Sequence, residues 1–294
     1  MVVSVLSLVY NHEEYLDAFF EGVLSQELSC QFEIVIGVDK SSDASLSLCQ
    51  KYQQEYPAII KLLVHENRVG IIGNFVATYN ACKGKYIAIC EGDDYWIDKQ
   101  KIARQLDVLE KDSKAVLSFT NIKIFDEDEK KFHPNWALIT KETYTIEDII
   151  QSNYITTCSV LFRNKLVVLN ERSFAGLSMA DFPLYVQLLQ YGYAKYLDLQ
   201  TSVYRRNQKS SFAKKSIIEQ LVKKKEAFEY LLNLPDLISQ QKILFKAYHI
   251  ILYAIASRLS KNDPDRRIIL LKVFKNFNLN NKVMPLKALI KLVL

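Results

Sequence analysis

Through its first ninety residues the chain alternates between short, continuously apolar runs and segments with helical spacing, and this rhythm limits the fold more than any other feature. VVSVLSLVY (2–10), FEIVIGVD (32–39), IIKLLV (59–64) and YIAIC (86–90) lack the polar face that a strand with one side in water would show. Between them lie three helical stretches. The first runs from about His12 to Gln26 with Tyr15, Phe19, Val23 and Leu24 on one face; the second follows the capping residues Ser42 and Asp43 and ends near Tyr56; the third covers about Gly73 to Cys82. Strands buried on both faces and separated by helices predict an α/β fold, with a mostly parallel central sheet and helices on both sides. In such sheets ligands bind beyond the carboxyl ends of the strands, where loops and helix N-termini converge. Asn11, Asp39, the run Glu66-Asn67-Arg68 and the acidic stretch CEGDDYW (90–96) fall at those four ends in turn.

From Ala115 the pattern is mixed. AVLSFTNIKIF, ITTCSVLFR and KYLDLQTSVY read as strands and DFPLYVQLLQYG as a helix. After about Lys214 nearly everything reads as helix, with breaks near Pro235, Asp263-Pro264 and Pro285. The expected organisation is one domain over 1–213 and a helical region over 214–294. From Arg258 onward nine Lys or Arg face two Asp, a balance of +7 in a chain whose total is +5, so residues 1–257 carry −2. The basicity belongs to the tail, and no nucleic-acid partner is expected. Five scattered cysteines without a CxxC pair argue for reduced thiols rather than disulfides or structural zinc. Met1 leads straight into the first apolar run without a basic segment or a small-residue cleavage site, so a cytoplasmic protein is expected, at most peripheral on the inner face of the cell membrane.

Glu91, Asp93 and Asp94 stand within four positions at the end of a buried strand. Carboxylates this close repel one another, and a divalent cation inverts the local balance. A hard ion such as Mg²⁺ or Mn²⁺ typically takes one or two carboxylates together with phosphate oxygens. The same acids alternatively cap a helix beginning near Lys99 or form a solvated loop. His12, His65, His133 and His249 have no i,i+4 partner and no nearby Cys, which disfavours a zinc centre. Gly70-Ile71-Ile72-Gly73 is neither GxGxxG nor a P-loop, which removes most dinucleotide and kinase-like readings.

Several stretches together resemble the family-2 nucleotide-sugar glycosyltransferases of the GT-A fold, which invert the anomeric centre. They are VSVLSLVYN at the start, EIVIGVDKSSDAS for the family's E-I-x-x-x-D-D-x-S-x-D-x-T, HENRVGIIGNF for N-x-G-x-x-x-N, and GKYIAICEGDDYW for G-K-Y-I-x-x-x-D-x-D-D. MADFPLYVQLLQYGYAKYLD and SVYRRNQKSS are similar to the catalytic-base segment and the Y-R-x-H-x-x-S loop, so the likeness covers about residues 2–213. The resemblance implies transfer of a sugar from a nucleotide diphosphate, a UDP-sugar foremost, to a hydroxyl of a glycan or polyprenyl-linked acceptor in bacterial-type surface polysaccharide synthesis. It implies Mn²⁺ or Mg²⁺ as cofactor, Asp181 as catalytic base and Asp94 as direct metal ligand, with Glu91 beside it acting through water. It places Asp93 at the ribose, Asp39 at the nucleobase, and Val9, Asn11, Asn67, Gly70, Asn74, Arg205 and Arg206 around the donor. Val38 stands where a second acid is common and Asn207 where a His is common, so no protein metal ligand is expected at 207. The alternative is a catalytically silent GT-A-like protein that binds nucleotide or serves as a scaffold.

In the helical region ILFKAYHIILYAIASRL holds Lys246 and His249 and falls short of the roughly 20 apolar residues that span a bilayer, so it reads as a buried bundle helix. RRIILLKVFKNF and PLKALIKLVL are basic and amphipathic. They either lie on an anionic membrane surface or pack on protein, as a cap or a homodimer contact.

Overall fold

The computed structural model describes residues 2–135, 139–170, 174–207, 215–260 and 262–275. In chain order the elements are β1 (Val3–Val9), α1 (Leu16–Leu24), β2 (Phe32–Val38), α2 (Ser45–Glu55), β3 (Ile60–Val64), α3 (Gly70–Ala81), β4 (Tyr86–Ile89) and β5 (Tyr95–Trp96). There follow α4 (Lys101–Lys111), β6 (Ala115–Asp126), β7 (Lys131–His133), β8 (Thr143–Tyr144), α5 (Ile146–Gln151), β9 (Leu161–Arg163), α6 (Asp181–Leu188) and β10 (Tyr193–Arg206). Three longer helices, α7 (Ile217–Leu232), α8 (Gln241–Ala256) and α9 (Pro264–Lys275), complete the described chain. The strands form one sheet in the order β3-β2-β1-β4-β9-β6-β10-β5, with β7 beside β6 and β8 beside β10.

The first four strands pair in parallel, as their apolar faces predict, with Val3 to Val9 in register with Phe32 to Val38 and Val3 to Leu6 with Tyr86 to Ile89. Every residue of β1 is buried. Phe19, Phe20 and Val23 of α1 join the core beneath it. A Cβ on Gly22 would lie 2.6 Å from the Trp96 carbonyl oxygen, so only glycine lets α1 approach β5 this closely. The second half departs from a purely parallel plan. β9 runs antiparallel to both β4 and β6, whereas β6 and β10 pair in parallel. The long strand expected over 155–163 is reduced to Leu161–Arg163, because the Ser159 N–H and hydroxyl both donate to the Thr156 carbonyl, at 2.9 and 2.7 Å, and close a 3₁₀ turn there. α4 begins at Lys101, where Asp98 accepts the Gln100 N–H at 2.9 Å. Asp93 and Asp94 are therefore not its caps.

Residues 1–175 with 180–210 form one compact unit and residues 176–179 with 211–294 a second. In the second, a capping box between Ser216 and Glu219 starts α7. Glu229 of α7 accepts the Lys225 ammonium at 2.9 Å and the Tyr248 hydroxyl of α8 at 2.7 Å. α8, the expected bundle helix, packs on both α7 and α9. Among the described residues no helix is long and apolar enough to cross a membrane. The basic segment PLKALIKLVL lies outside the described residues.

Candidate active site

The carboxyl edge of the sheet is tied together strand by strand. The Val9 carbonyl accepts the Asp39 N–H at 2.9 Å, so β1 and β2 reach the rim in step. Asn11, with φ 55°, takes the left-handed conformation that small amides tolerate. Its side-chain oxygen accepts the Ser42 N–H at 2.8 Å, which pins the loop after β1 to the loop after β2. Asp39 is buried and accepts the N–H groups of Lys40, Val69 and Gly70 at 2.9, 3.0 and 2.9 Å. The last two belong to the start of α3, whose unsatisfied donors and positive dipole end favour an anion. This cap starts α3 at Gly70, earlier than expected, on a φ of +74° that glycine adopts without strain.

Asn67 is exposed beyond this rim, next to Arg68, whose guanidinium lies 4.4 Å from the Tyr10 ring centroid. Asn74 faces inward instead. Its Nδ2 donates to the Gly37 carbonyl at 2.8 Å, and its Oδ1 meets His65 Nε2 at 3.1 Å and the Thr78 hydroxyl at 3.3 Å. That amide fastens α3 to β2.

The acidic loop continues the β1 ladder, with the Cys90 and Gly92 N–H groups donating to Leu6 and Leu8 carbonyls at 3.1 and 3.0 Å. A Cβ on Gly92 would stand 2.9 Å from both His12 Nδ1 and Val9 Cγ2, so glycine lets the loop hug the strand. Glu91, Asp93 and Asp94 each offer an oxygen within 4.8 Å of the others. Asp94 is 1% exposed; one oxygen accepts the Arg205 N–H at 2.8 Å, the Cys158 thiol lies beside the carboxylate, and Oδ2 has no conventional hydrogen-bond partner among the described residues. Taking a carboxylate out of water costs several kcal/mol, more than the roughly 1.5–3 kcal/mol that one charged hydrogen bond returns. Burial, with Asp93 and Glu91 alongside, accordingly drives the Asp94 carboxyl well above its ordinary range despite the Arg205 N–H. Burial, then Asp93 and Asp181, pushes Glu91 up to about 8. Such a set holds protons or takes a cation. Its all-oxygen donors, one of them buried and orphaned, fit a hard divalent ion such as Mg²⁺ or Mn²⁺.

β10 forms the facing wall. Ser202 and Val203 pair with Trp96 and Tyr95, and the strand then presents Arg205, Arg206 and Asn207. The Arg205 guanidinium donates to Glu127 at 2.6 Å and lies over the rings of Tyr95 and Tyr15, at 4.6 and 5.2 Å. Its charge is thus met within the fold. Arg206 approaches Asp126 at 3.8 Å. Asn207, buried, donates from Nδ2 to Asp93 Oδ2 at 3.3 Å, an oxygen that His12 Nε2 also approaches at 3.9 Å. Asp181 opens α6 and accepts the Thr157 hydroxyl at 3.4 Å; burial raises its carboxyl above the usual range. Tyr185 follows one turn later on the same helix face, with its hydroxyl buried near Thr157. Burial, then the Asp181 and Glu91 charges, pushes that phenol up. The structure thus brings Glu91, Asp93, Asp94, Asp181 and Asn207 to one rim and adds His12, considered from the sequence only for zinc, with Thr157 and Tyr185, which have no role there. Tyr185 had a legible signal in its i,i+4 spacing from Asp181.

Comparison with known proteins agrees with this architecture. The model of glycosyl transferase family 2 matches residues 4–168. The uncharacterized protein Rv1520 of Mycobacterium tuberculosis is 29% identical over 163 residues, covering 55% of this chain and 47% of that one. This chain spans about half the length of such mycobacterial relatives. The UDP-Glc:alpha-D-GlcNAc-diphosphoundecaprenol beta-1,3-glucosyltransferase WfaP of Escherichia coli is 27% identical over 205 residues, covering 69% and 77% of the two chains. Among solved structures, S. aureus TarS (residues 1–349) in complex with UDP-GlcNAc superposes with a TM-score of 0.68 at 14% identity, over 98% of this chain and 83% of that one. The fold is therefore the GT-A arrangement, and with its family model matched over more than half its length this chain belongs to glycosyl transferase family 2.

Proposed function

We propose that this chain transfers a sugar, with inversion, from a nucleoside diphosphate donor of the UDP type to a hydroxyl of a glycan or polyprenyl-linked glycan acceptor. Four carboxylates converging on one sheet edge, three in the loop after β4 and Asp181 at the start of α6, carry the reading. The acceptor class draws support from the lipid-linked acceptor in the name of WfaP and the donor class from the UDP-GlcNAc in the TarS complex.

In this reading Asp39, fixed by three backbone N–H groups, offers its remaining lone pair, on Oδ2, to a nucleobase N–H. Val9 and Asn11 form the floor beside it, Asn67 and Gly70 the mouth, and Asn74 holds α3 in place. Asp93 meets the ribose. Asp94 is the direct cation ligand and Glu91 acts through water. A bound Mn²⁺ or Mg²⁺ supplies positive charge where the diphosphate leaves. Arg206, loosely paired with Asp126 at 3.8 Å, reaches the diphosphate, while Arg205 braces the acid loop through its N–H. Asp181, whose raised carboxyl favours accepting a proton, takes the proton of the acceptor hydroxyl as that oxygen attacks. Asp181→Asn tests this assignment. It is expected to keep the rise in melting temperature that UDP and Mn²⁺ give the wild type, while turnover of the accepted donor falls by about 10²–10⁴-fold. Full turnover in the variant excludes Asp181 as the base. No nucleotide-dependent shift in the wild type, with any base, removes the donor site.

A further inference from the structure

We propose that Asn207 is a cation ligand, its side-chain carbonyl oxygen joining the free oxygen of Asp94 in an all-oxygen site for a hard divalent ion. The inference deepens the transferase reading above and rests on it. It reverses the expectation that an amide in place of a histidine leaves position 207 without a ligand.

Asn207 is 2% exposed, yet its Oδ1 has no partner among the described residues. The orientation of the amide follows from chemistry. Only the NH₂ end can donate to the Asp93 carboxylate, 3.3 Å away, so the carbonyl end is the one left over. Asp94 is similar, with one oxygen on the Arg205 N–H at 2.8 Å, Oδ2 buried and without a conventional hydrogen-bond partner among the described residues, and only the weakly donating Cys158 thiol beside the carboxylate. These two contacts set Asn207 against the acid loop, since Arg205 precedes Asn207 by two residues and Asp93 adjoins Asp94. Buried polar atoms without partners are uncommon in folded proteins and call for a bound water or ion. The Asn207 amide oxygen is an acceptor only and brings no proton of its own. Three carboxylates stand within 4.8 Å of one another at the same place, which favours a positive guest over a neutral one. The nearest strand cation cannot serve, because the Arg205 guanidinium is turned to Glu127 and two tyrosine rings. Carboxylate and amide oxygens suit Mg²⁺ and Mn²⁺, whereas an imidazole at 207 would favour borderline ions such as Co²⁺.

The test uses the full chain, freed of metal with EDTA, mixed with UDP and titrated with Mn²⁺ while free Mn²⁺ is followed by its EPR signal. Asn207→Ala is expected to weaken Mn²⁺ binding about tenfold or more, since even residues that only support metal ligands are worth that much. Cooperative unfolding in EDTA checks that the variant is folded. Asn207→His restores a ligand of another kind, and about tenfold better displacement of Mn²⁺ by Co²⁺ relative to Mg²⁺ is expected. Wild-type Mn²⁺ affinity in Asn207→Ala, or an unchanged Co²⁺ to Mg²⁺ ratio in Asn207→His, means that water satisfies the amide and overturns the proposal. A wild type that binds UDP but no Mn²⁺ overturns it together with the metal part of the transferase reading; Mn²⁺ binding that ignores residue 207 leaves that reading standing.

Discussion

Glu33 and Asp94 are carboxylates sealed in the same sheet, 0% and 1% exposed, at its opposite edges. Glu33 sits near the start of β2 and accepts the Ser4 hydroxyl at 2.6 Å, the Lys83 N–H at 2.8 Å and the Lys61 ammonium. Burial pushes its carboxyl up, but these donors outweigh it and hold the group below the usual range. Asp94 has the Arg205 N–H, the weakly donating Cys158 thiol and two carboxylates for neighbours, and its carboxyl goes the other way. Both are closed to solvent, although Asp94 lies deeper; the supply of donors differs as well. Where the fold completes the donors the acid is part of the scaffold, and where it leaves them incomplete the acid is open to a ligand.

Substitutions at the two positions separate these roles. Asp94→Asn is expected to lower turnover by about 10³-fold, the several kcal/mol that a metal's charge contributes at a developing anion. Its melting temperature in EDTA is not expected to fall, because the neutral amide spares the fold the cost of keeping a buried carboxyl protonated; a large loss of stability with turnover intact would make Asp94 a second Glu33. Glu33→Ala is expected to cost about 2–3 kcal/mol in urea unfolding, by stranding the buried Ser4 and Lys83 donors, while turnover per folded molecule stays at the wild-type level.

The pH dependence gives the smallest effect, on the order of 1–2 kcal/mol after allowance for water reaching Glu91. Without metal, folded Asp94 and Glu91 keep protons that the unfolded chain releases. Stability therefore falls as pH rises from about 4, where unfolded carboxyls titrate, to about 8, where folded Glu91 does. Glu33 acts in the opposite sense. Its contribution is full above its unfolded pKa of about 4 and disappears as pH falls through its lowered folded value. Melting curves across this range in EDTA should show the decline, and saturating Mn²⁺ with UDP should remove it. A flat profile in EDTA would mean that the acid loop is better solvated than its burial implies.

The parallel half of the sheet is legible in the sequence because β1 to β4 are apolar along their length and alternate with helices. The acid loop is legible for another local reason, the crowding of three charges in four positions. The direction of β9 is not, since three residues cannot distinguish a reversed strand from the end of a longer one. The partners of Asn74 and Arg205 are hidden too. The Gly37 carbonyl is 37 residues from Asn74 and Glu127 is 78 from Arg205, contacts that no local pattern carries. Glu33 is the hardest case, a lone acid inside an apolar run whose donors arrive from three other segments. Asp181 is nameable from the family resemblance and Tyr185 from its i,i+4 spacing, yet Thr157 becomes visible only when α6 is set beside the 3₁₀ turn before β9.

The hydrogen bond from the Arg205 N–H to Asp94 joins residues 111 apart, whereas β1 meets β2 across separations such as the 29 between Ser4 and Glu33. Long loops cost more entropy to close and contacts of high sequence separation form slowly. The parallel half can therefore assemble with the acid loop attached before β10 arrives, and the completed rim comes late in the order of folding. A ligand that needs both walls has nothing to bind until then. Its grip acts on the rate of opening rather than the rate of closing, so it works as a latch on a finished fold and not as a nucleus for one.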